Sequence, residues 1–143
     1  MVKNDVVKIT VTGYQKVDGE KSEPSTVSTI GVVQDSSTEE GIWIKYDEAI
    51  EGYDGKVSNL LCVYKEEMTV KKTGAINSSL YLKQGETCML HYSTPFGQLD
   101  MLVDCKQMDI NIEENCISIN AVYDMYQNKQ VISENYLGIN IFI

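Results

Sequence analysis

Side chains that could perform acid–base chemistry near neutral pH are scarce in this chain. His91 is the only histidine, and histidine is the side chain whose unperturbed pKa lies closest to neutrality. A general-base role would therefore fall to His91 by elimination. Leu90 and Tyr92 flank it, and in a strand the two neighbours of a residue point to the opposite face. If these neighbours point inward, His91 faces solvent, so we predict a surface histidine and assign no catalytic residue.

Metal and cofactor chemistry has no recognisable motif in this sequence. The four cysteines form no Cys-x-x-Cys pair, and a zinc site would need thiolates at irregular spacing. There is no phosphate-binding loop, dinucleotide-binding glycine fingerprint or Gly-x-Ser-x-Gly elbow. We therefore predict no metal and no cofactor. The cysteines are interpreted as small apolar residues on strands: Cys62, Cys88, Cys105 and Cys116.

The charged residues argue against several classes of partner. Twelve lysines and no arginine face 21 acidic residues, which gives a net charge of −9 and a pI near 4.5. Nucleic acids and anionic membranes would repel such a chain, so neither is expected as a partner. The sequence opens on alternating polar residues instead of an apolar leader, and no apolar run approaches the roughly 18 residues of a membrane span. The expected compartment is the cytoplasm, with reduced cysteines.

Alternation of apolar and polar residues predicts an all-β fold. Val, Ile and Thr total 37 residues against three alanines, and β-branched side chains suit strands better than helices. The apolar set recurs with period two, for example at Val7, Ile9 and Val11, and no window shows the 3.6-residue period of a helix. Strands are predicted at 5–17, 25–34, 40–49, 56–65, 67–74, 77–83, 86–94, 97–107, 109–113 (as a strand or as a continuation of its neighbour past a bulge), 116–126 and 131–143.

Short turn sequences separate these strands and favour sequential antiparallel pairing. Asp18-Gly19 and Asp54-Gly55 are dipeptides that tolerate positive φ in tight hairpins. A sheet of about ten strands accumulates twist and must curl or split. We predict one domain, residues 1–143, whose antiparallel meander closes into a barrel of about eight to ten strands; a two-sheet sandwich is the alternative. Bends or bulges are expected at the glycines inside strands: Gly13, Gly31, Gly74 and Gly138.

Three stretches give the chain a resemblance to a known family. They are residues 68–75 (Met-Thr-Val-Lys-Lys-Thr-Gly-Ala), residues 91–99 (His-Tyr-Ser-Thr-Pro-Phe-Gly-Gln-Leu), and residues 117–125 with their Ile-Ser-Ile and Tyr-Asp-Met segments. In this order and spacing the chain resembles the YwiB-like family of small bacterial proteins of unknown function, from about Val6 to Ile141. The resemblance implies a closed calycin-like (lipocalin-like) antiparallel barrel in the cytoplasm. It supplies no catalytic residue.

The candidate ligand-binding residues lie around one turn and on two strands. The turn between Ser93 and Gly97 is interpreted as a structural corner or as the mouth of a barrel, where aromatic and hydroxyl groups form the lip of a pocket. Lys72 has two interpretations. Pointing inward it needs a partner or an anionic ligand, and pointing outward it makes a weak cross-strand pair. Together with Tyr123, on the apolar face of its strand, the candidates are Lys72, Tyr92, Thr94, Phe96 and Tyr123.

Three functions are compatible with these observations. The favoured one is a non-enzymatic binding module that holds a small apolar or amphipathic ligand in the barrel. The alternative is a protein-interaction or structural protein acting as a homodimer. The third is an enzyme with His91, Lys72 or an aspartate as acid or base. The homodimer would use outward apolar residues, namely Leu102, Val122, Tyr126 and Phe142.

Overall fold

The regular secondary structure of the described residues is entirely β. The computed structural model describes residues 6–34, 41–49 and 56–143. Within these ranges there is no helix of the length and hydrophobicity needed to cross a membrane. The eleven strands are β1 (Val6–Val17), β2 (Glu20–Lys21), β3 (Ser25–Val33), β4 (Gly41–Ala49), β5 (Lys56–Tyr64), β6 (Glu67–Gly74), β7 (Asn77–Lys83), β8 (Thr87–Thr94), β9 (Gly97–Ile112), β10 (Cys116–Gln127) and β11 (Gln130–Phe142).

The sheet closes on itself to form a barrel. From β3 onward each strand pairs antiparallel with its successor in sequence, and β1 pairs with β3. β1 also pairs with β11 over nine positions, from Lys8 opposite Phe142 to Lys16 opposite Glu134. Ten strands therefore form a closed antiparallel barrel, to which β2 adds a two-residue extension beside the end of β1. The predicted barrel is confirmed and the alternative sandwich is wrong, because closure pairs the two strands that a sandwich would leave as edges.

The pairing of the described strands contains two β-bulges, and neither of the extra residues is a glycine. β9 is one strand through the predicted break near 108, and its register with β10 jumps between Gln107 and Cys105, which makes Lys106 the extra residue of a bulge. Ile132 is the extra residue of β11 opposite β10. The predicted continuation of residues 97–113 past a bulge is therefore confirmed. The register is continuous across Gly13, Gly31 and Gly138, so none of these three glycines is a bulge, and a bend at each stays a prediction.

Two hairpin turns have the backbone that a tight antiparallel connection requires. In the β1–β2 turn Asp18 and Gly19 have φ of 52° and 80°, which matches the turn predicted from this dipeptide. In the β10–β11 turn Asn128 and Lys129 have φ of 53° and 65°. Because lysine rarely adopts positive φ, we infer that the pairing of β10 with β11 imposes this backbone conformation on the turn. The Asp54-Gly55 turn lies outside the described residues.

Inward side chains fill one half of the barrel. We call the end with the β5–β6 and β9–β10 turns the closed end, and the end with the β6–β7, β8–β9 and β10–β11 turns the open end. Large aliphatic residues pack across the closed half and exclude water from it. The core there contains Val7, Ile9, Val33, Ile42, Ile44, Leu61, Val63, Met68, Leu82, Ile117, Ile119 and Ile141.

The barrel wall is not paired evenly around its circumference. β3 and β4 pair at two described positions, Val32 opposite Lys45 and Val33 opposite Ile44. β7 and β8 also pair at two positions, near the open end. The neighbouring ladders are much longer, with nine pairs between β4 and β5. The strands therefore diverge at two seams, which widens the barrel beyond what a uniformly paired sheet would give.

Gly31 illustrates how tightly the closed half is packed. A Cβ added to Gly31 would lie 2.6 Å from Cγ2 of Ile44 and 2.7 Å from Cδ1 of Ile9, and both isoleucines are completely buried. The Cγ2 of Ile44 is attached directly to its Cβ, so this atom moves only if the whole side chain or the strand shifts. Position 31 therefore requires glycine because a side chain would not fit in the core, and not because the backbone there has an unusual φ.

We expect Gly31→Ala to lower the free energy of unfolding by about 1–3 kcal/mol, because an extra methyl group in a filled core forces its neighbours to move. Gly13→Ala is the matched control on β1, where the nearest atom to an added Cβ is the Tyr136 carbonyl oxygen at 3.4 Å. Urea denaturation of both variants measures the difference. Equal stability of the two variants would show that the Gly31 site has room to relax.

Candidate functional site

A cavity of about 400 Å³ occupies the open half of the barrel. Side chains just fill a barrel of about eight strands, and ten strands enclose more room than the inward residues occupy. Nine of the sixteen lining residues are aliphatic or methionine, and the other seven carry polar atoms. The lining consists of Val11, Gln15, Tyr46, Val70, Lys72, Ser78, Leu80, Leu90, Tyr92, Leu99, Met101, Tyr123, Met125, Asn135, Leu137 and Ile139.

Strand register gathers one set of polar side chains into a continuous row on the cavity wall. Tyr46 of β4 lies opposite Asn59 of β5, and Asn59 lies opposite Lys72 of β6. Lys72 lies opposite Ser78 of β7, which in turn lies opposite Tyr92 of β8. Since cross-strand partners share a face of the sheet, the five residues form one inward-facing arc around half of the barrel. We call it the first polar arc.

Lys72 is held inside the barrel by a carboxylate. Its ammonium donates to Oε1 of Glu48, with which it forms an ion pair, and to Oδ1 of Asn59 at 2.9 Å. The Asn59 amide donates to the same Glu48 oxygen at 3.0 Å, so the three groups close a triangle. Asn59 is completely buried, while Lys72 and Glu48 are about three-tenths exposed. The inward interpretation of Lys72 is therefore right, and Glu48 is the partner that this position requires.

A second polar arc faces the first across the cavity. Asn135 of β11 lies between Tyr123 of β10 and Gln15 of β1. Its amide nitrogen donates to Oγ of Ser133 at 3.0 Å and to the Tyr123 carbonyl at 3.4 Å. Both Asn135 and Ser133 are buried. The amide is thus oriented by the barrel wall, with its carbonyl oxygen not used in these bonds.

The cavity phenols remain protonated well above neutral pH. Burial raises the pKa of Tyr46 to about 12, and the Glu48 carboxylate adds to this effect. Burial also raises the pKa of Tyr123 to about 12, with a smaller contribution from the Cys105 thiol group. Both phenols are therefore neutral hydrogen-bonding groups under any physiological condition.

Several polar atoms of the cavity wall have hydrogen-bonding capacity to spare. Among the described residues, every fully buried side-chain nitrogen or oxygen has a hydrogen-bond partner. The hydroxyls of Tyr46 and Tyr123 and the Oδ1 of Asn135 make no hydrogen bond to another described residue. The residues that carry these three atoms all line the cavity. They are available to a molecule in the cavity.

Of the five predicted ligand-binding residues, the structure brings three together. Lys72, Tyr92 and Tyr123 line the cavity. Thr94 and Phe96 belong instead to the β8–β9 hairpin at the open end. The Thr94 hydroxyl accepts from the Phe96 amide and donates to the Gly97 carbonyl, both at 3.1 Å, so it stabilises the turn. Phe96 is 85% exposed at the tip of this hairpin.

The other candidate acid–base groups lie on the outer face of the barrel. Nδ1 of His91 is 2.6 Å from Oδ1 of Asp100, and both side chains are more than half exposed. This is the surface position predicted for His91. Asp104 and Lys106 also face outward and form an ion pair at 2.8 Å. None of these four residues contacts the cavity.

The cysteines lie on strands and form no disulfide among the described residues. Burial raises the pKa of the Cys62 thiol and is also the main cause of the raised pKa of Cys105. A raised pKa lowers the fraction of reactive thiolate. Within the described ranges, no three His, Cys, Asp or Glu side chains are grouped so that they could hold a metal ion.

Comparison with known proteins places this barrel in a family. A family model described as "Domain of unknown function (DUF1934)" matches residues 9–139, which is most of the chain. The chain belongs to the DUF1934 family. It is also similar to the uncharacterized beta-barrel protein YwiB of Bacillus subtilis strain 168, with 23% identity over 116 residues that cover 72% of this chain and 82% of YwiB.

The fold of that relative is known from a crystal structure. The crystal structure of the ywiB protein from Bacillus subtilis matches this chain with a TM-score of 0.83 and 20% identity, over 99% of this chain and 94% of the other. The YwiB-like resemblance inferred from the residues is thereby confirmed. At this identity the match establishes the barrel and says nothing about individual side chains of the cavity.

Six polar residues of the site were missed by sequence reasoning: Gln15, Tyr46, Glu48, Asn59, Ser78 and Asn135. Glu48 continues the inward series Ile42, Ile44 and Tyr46 with the same two-residue period, so the alternation could have placed it inside the barrel. Because Glu48 is charged, the inward series was predicted to end at Tyr46. Asn59 continues the inward series of Val57 and Leu61, and Asn135 continues that of Leu137 and Ile139, so the same signal applies to both.

The buried phenol of Tyr123 predicts a stability loss at alkaline pH. An unfolded tyrosine has a pKa near 10, whereas the folded Tyr123 has a pKa of about 12. Between these values the unfolded chain loses its proton and the folded chain keeps it, so stability falls as the pH rises. This group contributes about 2–3 kcal/mol of stability below pH 10 that is lost by about pH 12.

We therefore expect Tyr123→Phe to show a smaller loss of unfolding free energy between about pH 9 and pH 11.5 than the wild type. Urea denaturation across this range measures it, and Tyr126→Phe, on the outer face, is the matched control. An unchanged pH profile in Tyr123→Phe, identical to that of the control, would mean that this phenol is solvated.

Proposed function

We propose that this protein is a non-enzymatic binding module that holds a small apolar or amphipathic ligand in the cavity of its barrel. The observation that carries this proposal is the cavity itself, since about 400 Å³ of space bordered by aliphatic side chains remains where the core could have been filled. Ligand sites typically have volumes of about 300–1,000 Å³, with a few placed polar groups on an apolar lining. The cavity has this composition.

The ligand lies inside the barrel at one end, as a small molecule does in a lipocalin-like barrel. The cytoplasm is the compartment we propose for this activity, given the acidic chain and the four unpaired thiols. Catalysis by His91 receives no support from its position, because His91 and its Asp100 partner are on the opposite side of the wall from the cavity.

The binding proposal is tested with the uncharged dye N-phenyl-1-naphthylamine, whose fluorescence rises in an apolar site. We expect saturable binding to the wild type and at least tenfold weaker binding to Leu137→Trp, which places an indole in the cavity. Leu102→Trp, on the outer face, is the matched control and should bind as the wild type does. Equal binding by all three proteins would locate the dye outside the barrel and contradict the proposal.

Native mass spectrometry of freshly purified protein provides an independent measurement. A ligand that co-purifies with the wild type appears as a defined mass increment, and Leu137→Trp should reduce its occupancy. Bound ligand should also raise the melting temperature, since a molecule that binds only the folded state stabilises it by mass action.

A second proposal, self-association, is favoured by an apolar row on the outer face. Met89, Leu102, Tyr126 and Val131 are consecutive cross-strand neighbours on β8, β9, β10 and β11. Met89, Leu102 and Val131 are each two-fifths exposed or more. Two of the four residues named for a homodimer, Leu102 and Tyr126, belong to this row. In an isologous dimer the row of one protomer would pack against the same row of the other.

We expect light scattering to show a mass that increases with protein concentration toward that of a dimer, and Leu102→Lys to abolish the increase by placing like charges at the contact. Ile30→Lys is the control, at an exposed outer position on β3 away from the row. A monomer at millimolar concentration in the wild type would contradict self-association and leave the binding proposal untouched.

A further inference from the structure

The charge balance inside the cavity restricts what the cavity can hold. Lys72 is the one charged residue among the sixteen that line it. Its ammonium is already paired with the Glu48 carboxylate, and the Asn59 side chain bonds to both groups. Within the described residues, the charged groups that face the cavity therefore sum to zero. A lysine in an apolar pocket would ordinarily suggest an anionic ligand, and Glu48 removes that expectation.

We propose that the cavity selects ligands with an apolar body and an uncharged hydrogen-bonding end, such as a hydroxyl or a carboxamide, and that Glu48 is the residue that determines this selectivity. This inference rests on the proposed binding function and adds the chemical class of the ligand.

Exclusion of anions follows from the geometry of the ion pair. An anionic end that reaches Lys72 also comes close to Glu48, because the two groups share a hydrogen bond. Attraction to the ammonium and repulsion from the carboxylate then largely cancel, whereas the anion still loses its hydration. A cationic end faces the same balance with the signs reversed. Only an uncharged end enters without this desolvation cost.

Complementarity to an uncharged end is supplied by the rest of the wall. The hydroxyls of Tyr46 and Tyr123 can each donate a hydrogen bond, and Oδ1 of Asn135 can accept one. All three residues line the cavity. The raised pKa values of the two phenols keep them protonated, so they remain neutral donors. A hydroxyl or carboxamide both donates and accepts, and it can therefore use the two kinds of group at once.

A matched series of eight-carbon probes tests the inference. Octan-1-ol, octanoate and octylammonium share one apolar chain and differ at neutral pH only in a neutral, negative or positive end. Each competes against N-phenyl-1-naphthylamine. We expect octan-1-ol to bind the wild type at least tenfold more tightly than either charged probe. Octanoate binding as tightly as octan-1-ol would overturn the inference while the binding function stands.

Substitutions at the ion pair test the role of Glu48. Glu48→Gln leaves the Lys72 ammonium uncompensated, and we expect octanoate to gain at least tenfold relative to octan-1-ol. Lys72→Gln leaves the carboxylate and should favour octylammonium instead. The double variant Glu48→Gln with Lys72→Gln has no charge at the site and should return to the wild-type preference for octan-1-ol. Unchanged preferences in both single variants would show that Glu48 does not determine selectivity.

Two further outcomes keep the proposals distinguishable. Circular dichroism first establishes that each variant is folded; if a single variant is not, the wild-type ratios and the double variant decide the question. Failure of the dye and of all three probes to bind folded wild-type protein would contradict the binding function itself. Binding of octan-1-ol that Leu137→Trp does not weaken would place the probe outside the cavity and would also contradict the inference.

Discussion

The antiparallel ladder between the first and last long strands is the constraint on which this molecule depends. Nine residue pairs join β1 to β11 and convert a meander into a cylinder. Without that ladder the backbone groups of two long strands would be exposed edges, and the inward side chains of the first and last strands would lose their shared core. Closure also sets the circumference at ten strands, and the circumference sets how much space the inward side chains must fill.

That space is divided unequally along the axis of the barrel. The aliphatic residues of the closed end meet across the axis and pack densely, to the point that Gly31 has no room for a methyl group. Toward the open end β3 and β4 diverge beyond their two paired positions, and the inward residues no longer span the gap. The cavity is therefore a consequence of barrel width and seam geometry, and its polar lining reflects the residues that the register places there.

The ion pair between Lys72 and Glu48 shows how a charged residue is accommodated in such a wall. An ammonium in an apolar cavity is costly unless it is paired and hydrogen-bonded. The buried amide of Asn59 bonds to both charged groups and holds them in one geometry. The result is a cavity with a polar wall and no net charge, which differs from what either residue alone would suggest.

Much of the fold could be predicted from the sequence, because a two-residue alternation and short turns are local properties. Apart from β2, which was not predicted, the strands were predicted to within one residue at their ends, whereas a barrel and a sandwich were both compatible with their number and order. The site was less predictable. Lys72, Tyr92 and Tyr123 were assigned to it, whereas Glu48 and Asn59 were not, because their roles depend on contacts between strands. Thr94 and Phe96 were also predicted as ligand-binding residues, but the structure leaves both outside the lining of the cavity.

By itself the sequence determined which residues face inward, since the period of a strand is independent of its partners. Tertiary structure decided which inward residues meet, because register, the bulges at Lys106 and Ile132 and the width of the closed barrel are properties of whole ladders. A lysine and a glutamate that are separated by two strand connections become an ion pair only when β4, β5 and β6 are aligned. The existence of a cavity is decided in the same way, because it is the difference between the volume that ten paired strands enclose and the volume that their side chains fill.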